Sequence, residues 1–282
     1  MNCVGCNSES LFHFMNNEHQ PYYKCSNCNT VQLNEYLDEA TVYEYYNKSN
    51  LSGSYNIANS SKDSNRLKFL NLLSYYDSHL TSLSSKERPL RLLDIGCFNG
   101  DFLSLVNHKY PNIETFGFEI MESRFEYGAK QKVWGGKLSD NPFGEDFDIV
   151  VMNDVIEHLS DHENDFKFIS KATKKEALIF ITTPNATSFF SKILSKRWGV
   201  YDGIEHSVIF SEKGIKVFLQ RHGFSLVTLV PYYKSLNLHY ILKMILKWQF
   251  KINNNLLFLS FMKYFTLRLY FGEMIIVAKK NG

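Results

Sequence analysis

Three groups of residues have types and spacings that could do chemistry. Cys3-x-x-Cys6 and Cys25-x-x-Cys28, separated by eighteen residues, can each turn two thiolates toward one metal, and together they complete a tetrahedral zinc site. Disulfides are the alternative, disfavoured by the paired spacing and by a reducing compartment. Four protein ligands leave no open coordination position, so this zinc would be structural. The second group lies in LLDIGCFNGDFL and TFGFEI. Gly96 and Gly100 let the backbone turn sharply and approach a ligand closely, and Glu119 stands where a carboxylate can accept hydrogen bonds from both hydroxyls of a ribose. The third group is Asp154, Glu157, His158 and the distant His206, which could take a proton from a hydroxyl or hold a metal that acidifies it. Asp154, Glu157 and His158 share one face if a helix begins there.

These groups need a scaffold, and the hydrophobic pattern supplies one. Leu92, Leu93 and Ile95 suit a buried strand that runs into the glycine turn. A weak strand follows near Lys132–Trp134, then Phe147–Met152, whose carboxyl end carries Asn153 and Asp154, and then ALIFITTPN. FSEKGIKVFLQRHGFSLVTLVPYY reads as a helix, a glycine stop and a strand, and FGEMIIVAKK as a final strand from Phe271 to Lys280. Strands alternating with helices predict an α/β fold whose ligands sit at the carboxyl ends of the strands. His206 follows the fifth strand and would return to that same rim. Cys97, inside the glycine turn, suits small-residue packing better than nucleophilic chemistry.

The order Asp94-x-Gly96-x-Phe98-x-Gly100, with an acid before the first glycine, resembles motif I of class I S-adenosylmethionine-dependent methyltransferases, and the later stretch GKLSDNPFGEDFDIVVMNDVIEHLSD resembles the part that leads into motif IV. The likeness extends over about two thirds of the chain, from near Arg88 to the end apart from one insertion, and the ITTPN turn, the EH pair and HSVIFSEKGIKVFLQRHGF look like the branch with ubiquinone-type O-methyltransferases. The resemblance implies a Rossmann-like, doubly wound, mostly parallel seven-stranded sheet. It implies that Asp94, Gly96, Cys97, Phe98 and Gly100 line the methionyl part of the cofactor, that Glu119 beside Ile120 holds the ribose, and that Leu138 and Asn153 complete the site. Phe98 occupies a position that is often glycine in the family. Small-RNA 2'-O-methyltransferases have an acid-x-x-Glu-His arrangement and a later histidine. By that likeness Asp154, Glu157, His158 and His206 would hold a magnesium- or manganese-like ion, while a metal-free variant would use His158 or His206 as general base.

With 282 residues, 44% hydrophobic and 21% charged, the chain suits one domain of roughly 200 residues with smaller attachments. A net charge of +2 gives no global case for nucleic acid. MNCVGCNSES lacks the features of a signal peptide, so the expectation is a cytoplasmic protein. The expected division is a zinc-ribbon-like module over 1–40, a helical cap over 41–85 and a methyltransferase domain over 86–282. In the cap, Leu67, Leu70, Leu73 and Tyr76 form the expected apolar stripe, and Tyr45, Tyr46 and Tyr55 could overhang the cofactor. A helical insertion before the last strand, about 235–270, is broken by Lys243, Lys247, Lys251, Lys263 and Arg268, too many charges for a spanning helix. Lys243, Lys247 and Lys251 line one helical stripe, which could touch the inner face of a membrane, although burial against the domain or a partner also fits. The leading functional expectation is O-methylation of a sugar, glycan or other small or lipid-linked hydroxyl. The alternatives are an RNA ribose 2'-O-methyltransferase and a noncatalytic zinc-ribbon binding protein with a degenerate cofactor site.

Overall fold

A computed structural model describes residues 1–17, 19–35, 41, 44, 62–84, 88–121, 127, 131–239, 241–242, 261–262 and 264–282. In chain order the strands are β1 (Leu11–Met15), β2 (Tyr22–Cys25), β3 (Val31–Leu33), β4 (Leu90–Ile95), β5 (Ile113–Phe118), β6 (Lys132–Trp134), β7 (Phe147–Asn153), β8 (Thr173–Pro184), β9 (Val208–Ile209), β10 (Phe224–Asn237) and β11 (Thr266–Lys280). The helices are α1 (Lys62–Ser84), α2 (Asp101–Lys109), α3 (His162–Ala172), α4 (Phe189–Leu194) and α5 (Glu212–Arg221).

The central sheet has seven strands in the order β10-β11-β8-β7-β4-β5-β6. β4 pairs in parallel with β5 and β7, β7 with β8 and β5 with β6, whereas β11 runs antiparallel to both β8 and β10. The mostly parallel, doubly wound expectation therefore holds. Alternation along the strands splits the core. Leu93, Ile95, Val150 and Met152 face α3 and α5, where Phe166 and Phe218 pack. Leu92, Ile149 and Val151 face α1 and α2, where Leu72, Tyr76 and Phe102 pack. Each such fully buried side chain contributes about 1.5–3 kcal/mol. β4 lies between β5 and β7, so the crossovers that leave it go to opposite sides and open a crevice at its carboxyl end. Ile95 is level there with Phe118 and Met152.

The cap differs in detail from its expected stripe. Leu73 and Tyr76 are buried, together with Leu72 and Leu80, but Leu70 is 45% exposed. A strict three-residue repeat drifts around a helix of 3.6 residues per turn, so Leu70 leaves the face that Leu73, Tyr76 and Leu80 share. Before the last strand, β10 continues to Asn237 and β11 starts at Thr266, so both ends of the expected helical insertion are a hairpin arm that outreaches β8. Residues 238–239 and 241–242 are helical. Lys243, Lys247, Lys251 and Lys263 lie outside the described residues, as do Tyr45, Tyr46 and Tyr55. Among the described residues no helix is long and apolar enough to cross a membrane.

At the amino terminus, β1, β2 and β3 form a second sheet whose fourth strand is β9, in the order β1-β2-β3-β9. That sheet is shared between the cysteine segment and the main domain.

Candidate active site

The crevice at the end of β4 is a cavity of about 400 Å³ lined by Asp94, Gly96, Cys97, Phe98, Glu119, Ile120, Leu138 and Asn153, together with Asp154 and His158. Gly96 (φ +74°) and Gly100 (φ +75°) both need the left-handed region, and a Cβ on Gly96 would collide with Val155. Phe98 also lies in the left-handed region, at φ +51°. A β-carbon there costs roughly 1–2 kcal/mol, which neighbouring contacts must offset. Glu119 makes one of them: its Oε2 accepts from the Phe98 N–H at 2.9 Å while Oε1 accepts from Met121 at 3.1 Å. The Tyr127 hydroxyl donates to the Phe98 carbonyl at 2.7 Å.

Asp94 is 3% exposed. Burial, reinforced by the negative charge of Glu119, pushes its pKa well above the usual carboxylate range, against the pull of Lys68. A cation placed in the cleft would be favoured by this pair of acids. Leu138 begins a single 3₁₀ turn and is buried. Asn153 is fixed by the Tyr76 hydroxyl, which donates to its Oδ1 at 2.8 Å. Cys97 packs on β5, where a Cβ at Gly117 would lie 2.5 Å from its sulfur. Its thiol pKa is raised by burial and by Asp94 and Glu119, which disfavours the thiolate.

Of the four residues expected beyond the donor pocket, three come together. One ligand atom each of Glu157, His158 and His206 lies within 4.8 Å of the others. His158 and His206 stack with ring centroids 4.7 Å apart and planes 36° apart. His158 Nδ1 bonds the Glu205 carbonyl at 2.8 Å, and His206 Nδ1 bonds Asp202, which leaves Nε2 of each ring. Thr183 orients Glu157 by donating to Oε2 at 2.9 Å. Such outer partners are what orients ligands in metal centres, and two imidazoles with one carboxylate suit a transition-metal ion better than magnesium.

Asp154 does not join them. Glu157 and His158 lie in a 3₁₀ turn over Ile156–His158, but Asp154 precedes it in the left-handed region at φ +55°, so the expected common helical face does not form. Its carboxylate accepts from Thr182 Oγ1 at 2.9 Å and pairs with Lys68 at 2.9 Å and Lys234 at 3.9 Å. Burial opposes ionisation of Asp154, but the two lysines outweigh it and hold its pKa below the usual range. Lys234 is itself paired with Glu273 at 2.5 Å.

Charge is tuned across the cluster. Burial and the nearby Asp154 raise Glu157 to about 8. Burial and the neighbouring His206 lower His158 to about 4, so its ring is neutral at physiological pH. Burial also disfavours charge on His206, yet the Asp202 carboxylate outweighs it and raises that pKa. Asp202, Thr183, Lys68, Lys234 and Tyr76 were not expected at the site from sequence. Only Asp202 carried a signal, four residues before His206 in an Asp-Gly turn whose backbone N–H groups at 204, 205 and 206 its Oδ1 accepts.

At the amino terminus the four thiols gather in two close pairs, Cys3 to Cys28 at 3.5 Å and Cys6 to Cys25 at 3.6 Å, and all are free of disulfides. Zinc–sulfur bonds of about 2.3 Å set tetrahedral sulfur separations of about 3.8 Å, so the cluster fits a zinc ion.

Comparison with known proteins agrees with this architecture. A family model described as a methyltransferase domain matches residues 69–229, more than half of the chain. The chain belongs to this family and has the fold of the class I S-adenosylmethionine-dependent methyltransferases. A Galdieria sulphuraria protein provisionally assigned as a sarcosine dimethylglycine methyltransferase is similar with a TM-score of 0.53 and 16% identity, over 75% of this chain and 86% of that one. Magnesium protoporphyrin IX methyltransferase from Synechocystis, solved with bound S-adenosylhomocysteine, is similar with a TM-score of 0.51 and 15% identity, over 86% of this chain and all of that one (100%). No protein of curated function matches the chain in sequence.

Proposed function

We propose that the protein transfers a methyl group from S-adenosylmethionine to a hydroxyl of a sugar, glycan or other small or lipid-linked acceptor. The observation that carries this reading is the convergence of Glu157, His158 and His206, of which His158 lines the same cleft as Asp94 and Glu119. When bound, S-adenosylmethionine supplies a sulfonium methyl group, which an acceptor oxygen takes as the carbon–sulfur bond breaks and its electron pair returns to sulfur. Asp94 would face the methionyl ammonium, Glu119 the ribose hydroxyls, and the Leu138 backbone and Asn153 the remainder. Position supplies much of the catalysis, because the methyl group is already activated.

The acceptor hydroxyl must lose a proton. His158 is arranged to receive it at Nε2, since its Nδ1–H is donated to the Glu205 carbonyl. Glu157, His158 and His206 also fit a divalent cation such as manganese, which would lower the pKa of an acceptor hydroxyl. The cysteine cluster would hold structural zinc. The exposed aromatics next to the hairpin arm, Tyr264 at 89%, Phe265 at 58% and Phe261 at 57%, favour an acceptor that presents a sugar face or a lipid tail.

Calorimetry with S-adenosylmethionine is the first test, and well-folded protein that binds none of it would sink the enzyme reading in favour of a binding protein. Radiolabelled methyl transfer to glycan, lipid-linked sugar and RNA acceptors, with and without manganese, is the second. Label on RNA alone would replace the proposed acceptor class.

A further inference from the structure

The cysteine module contacts the main domain along α5, where Lys213 Nζ and Arg221 donate to the Asn27 and Val4 carbonyls at 2.7 and 2.9 Å, and at the segment that carries His206. Leu33 N–H donates to the Ser207 carbonyl at 2.9 Å, and Val31 and Gln32 pair with Ile209 and Val208 of β9. Tyr22, fully buried, closes the loop itself. Its hydroxyl donates to the His206 carbonyl at 2.8 Å and accepts from the Gly203 N–H at 3.0 Å, so one oxygen ties both ends of the Gly203–His206 turn. Asn17 adds a bond from Nδ2 to the Tyr201 carbonyl at 2.5 Å. From the other side, Ser207 donates through N–H and Oγ to the Glu157 carbonyl at 2.8 and 3.0 Å. His206 is thus clamped between the module and the Glu157 turn.

The clamp depends on the thiols. β2 ends in Cys25, three residues after Tyr22, and the module's strands have only five, four and three residues. So small a sheet lacks the core to stand by itself, and metal held by Cys3, Cys6, Cys25 and Cys28 would supply the missing stability. β9, two residues long, pairs within that sheet with β3. We propose that the zinc-bearing module is a working part of the active site, in which Tyr22 is a positioning residue that sets the His206 imidazole against Glu157 and His158. The inference rests on reading His206 as an acceptor-site residue.

The test uses the full-length, zinc-loaded, nitrogen-15-labelled protein and reads the imidazole resonances by long-range proton–nitrogen NMR. His162 and His222 pack against Phe166 and Phe218 in the core and serve as internal controls. Tyr22→Phe, which removes one oxygen, is expected to shift and broaden the His206 signals while His162 and His222 stay in place. Zinc content should remain one ion per chain and affinity for S-adenosylmethionine within about threefold. Unchanged His206 signals would overturn the proposal, and so would equal movement of all three histidines, which marks general loosening. Should Tyr22→Phe fail to fold, Asn17→Ala removes the second tether and carries the same expectations. Because no turnover is measured, failure here is distinct from failure of the acceptor chemistry, which would show as methyl transfer surviving His206→Ala.

Discussion

At the residue scale the site divides its work between two pairs of side chains. Glu119 is held by the Phe98 and Met121 N–H groups, so it supports a strained turn in addition to its proposed part in holding the ribose. Glu119→Ala should weaken S-adenosylmethionine binding by about 10- to 100-fold, the worth of one or two charge-assisted hydrogen bonds, as measured by calorimetry. His158 lines the same cavity and His206 stacks on its ring, each with Nδ1 already committed. His158→Ala and His206→Ala should each cut methyl transfer by about 10²- to 10⁴-fold and leave donor affinity within about threefold. Rates undiminished in both variants would remove these histidines from the mechanism. Phe98 was legible as the odd residue in its motif, and the structure gives the physical content: a side chain where the backbone favours glycine, bridged on both sides by hydrogen bonds.

At the element scale, what matters is how strand ends are held. Asp154 follows β7 and was expected beside His158, since spacings of three and four align on a helix. A left-handed residue at Asp154 breaks that alignment, and the pull of Lys68 from α1 and Lys234 from β10 takes the carboxylate away. Neither lysine is near it in sequence, so nothing local could reveal the pairing. The opposite end of β7 has its own anchor. Asp148, 5% exposed, accepts from Arg88, from the Arg91 N–H at 3.0 Å and from Lys174 at 3.2 Å, which together outweigh burial and lower its pKa. Asp148→Asn should therefore destabilise the fold by about 1–3 kcal/mol at neutral pH without touching donor binding. A carboxylate whose folded pKa is depressed contributes its full stability above the unfolded value of about 3.9 and loses it as pH falls through the folded one. The gap in Tm between the wild type and Asp148→Asn should accordingly narrow on acidification, and a gap independent of pH would show that the charge is not what stabilises.

At the scale of the whole molecule, the amino-terminal segment and the methyltransferase domain are joined through one sheet, β1-β2-β3-β9. Removing the proposed zinc from the thiols should lower Tm and raise hydrogen exchange in β1, β2, β3 and residues 202–209 together, while β4, β5 and β7 stay protected. Exchange confined to the first segment would show that the module is merely appended. The cysteine pairs, the glycine turn with its flanking acids, and the alternation of strands and helices are local patterns, and local patterns determined the fold class and the seven strands. Sequence also singled out Asp154, Glu157, His158 and His206, through residue type, spacing and resemblance. Only the tertiary structure decided which side chains meet. It excluded Asp154 from the cluster through two distant lysines and set Tyr22 across 184 positions onto the His206 loop. Such choices depend on contacts between elements far apart in the chain, whose energies exceed any local preference, and a one-dimensional pattern does not contain them.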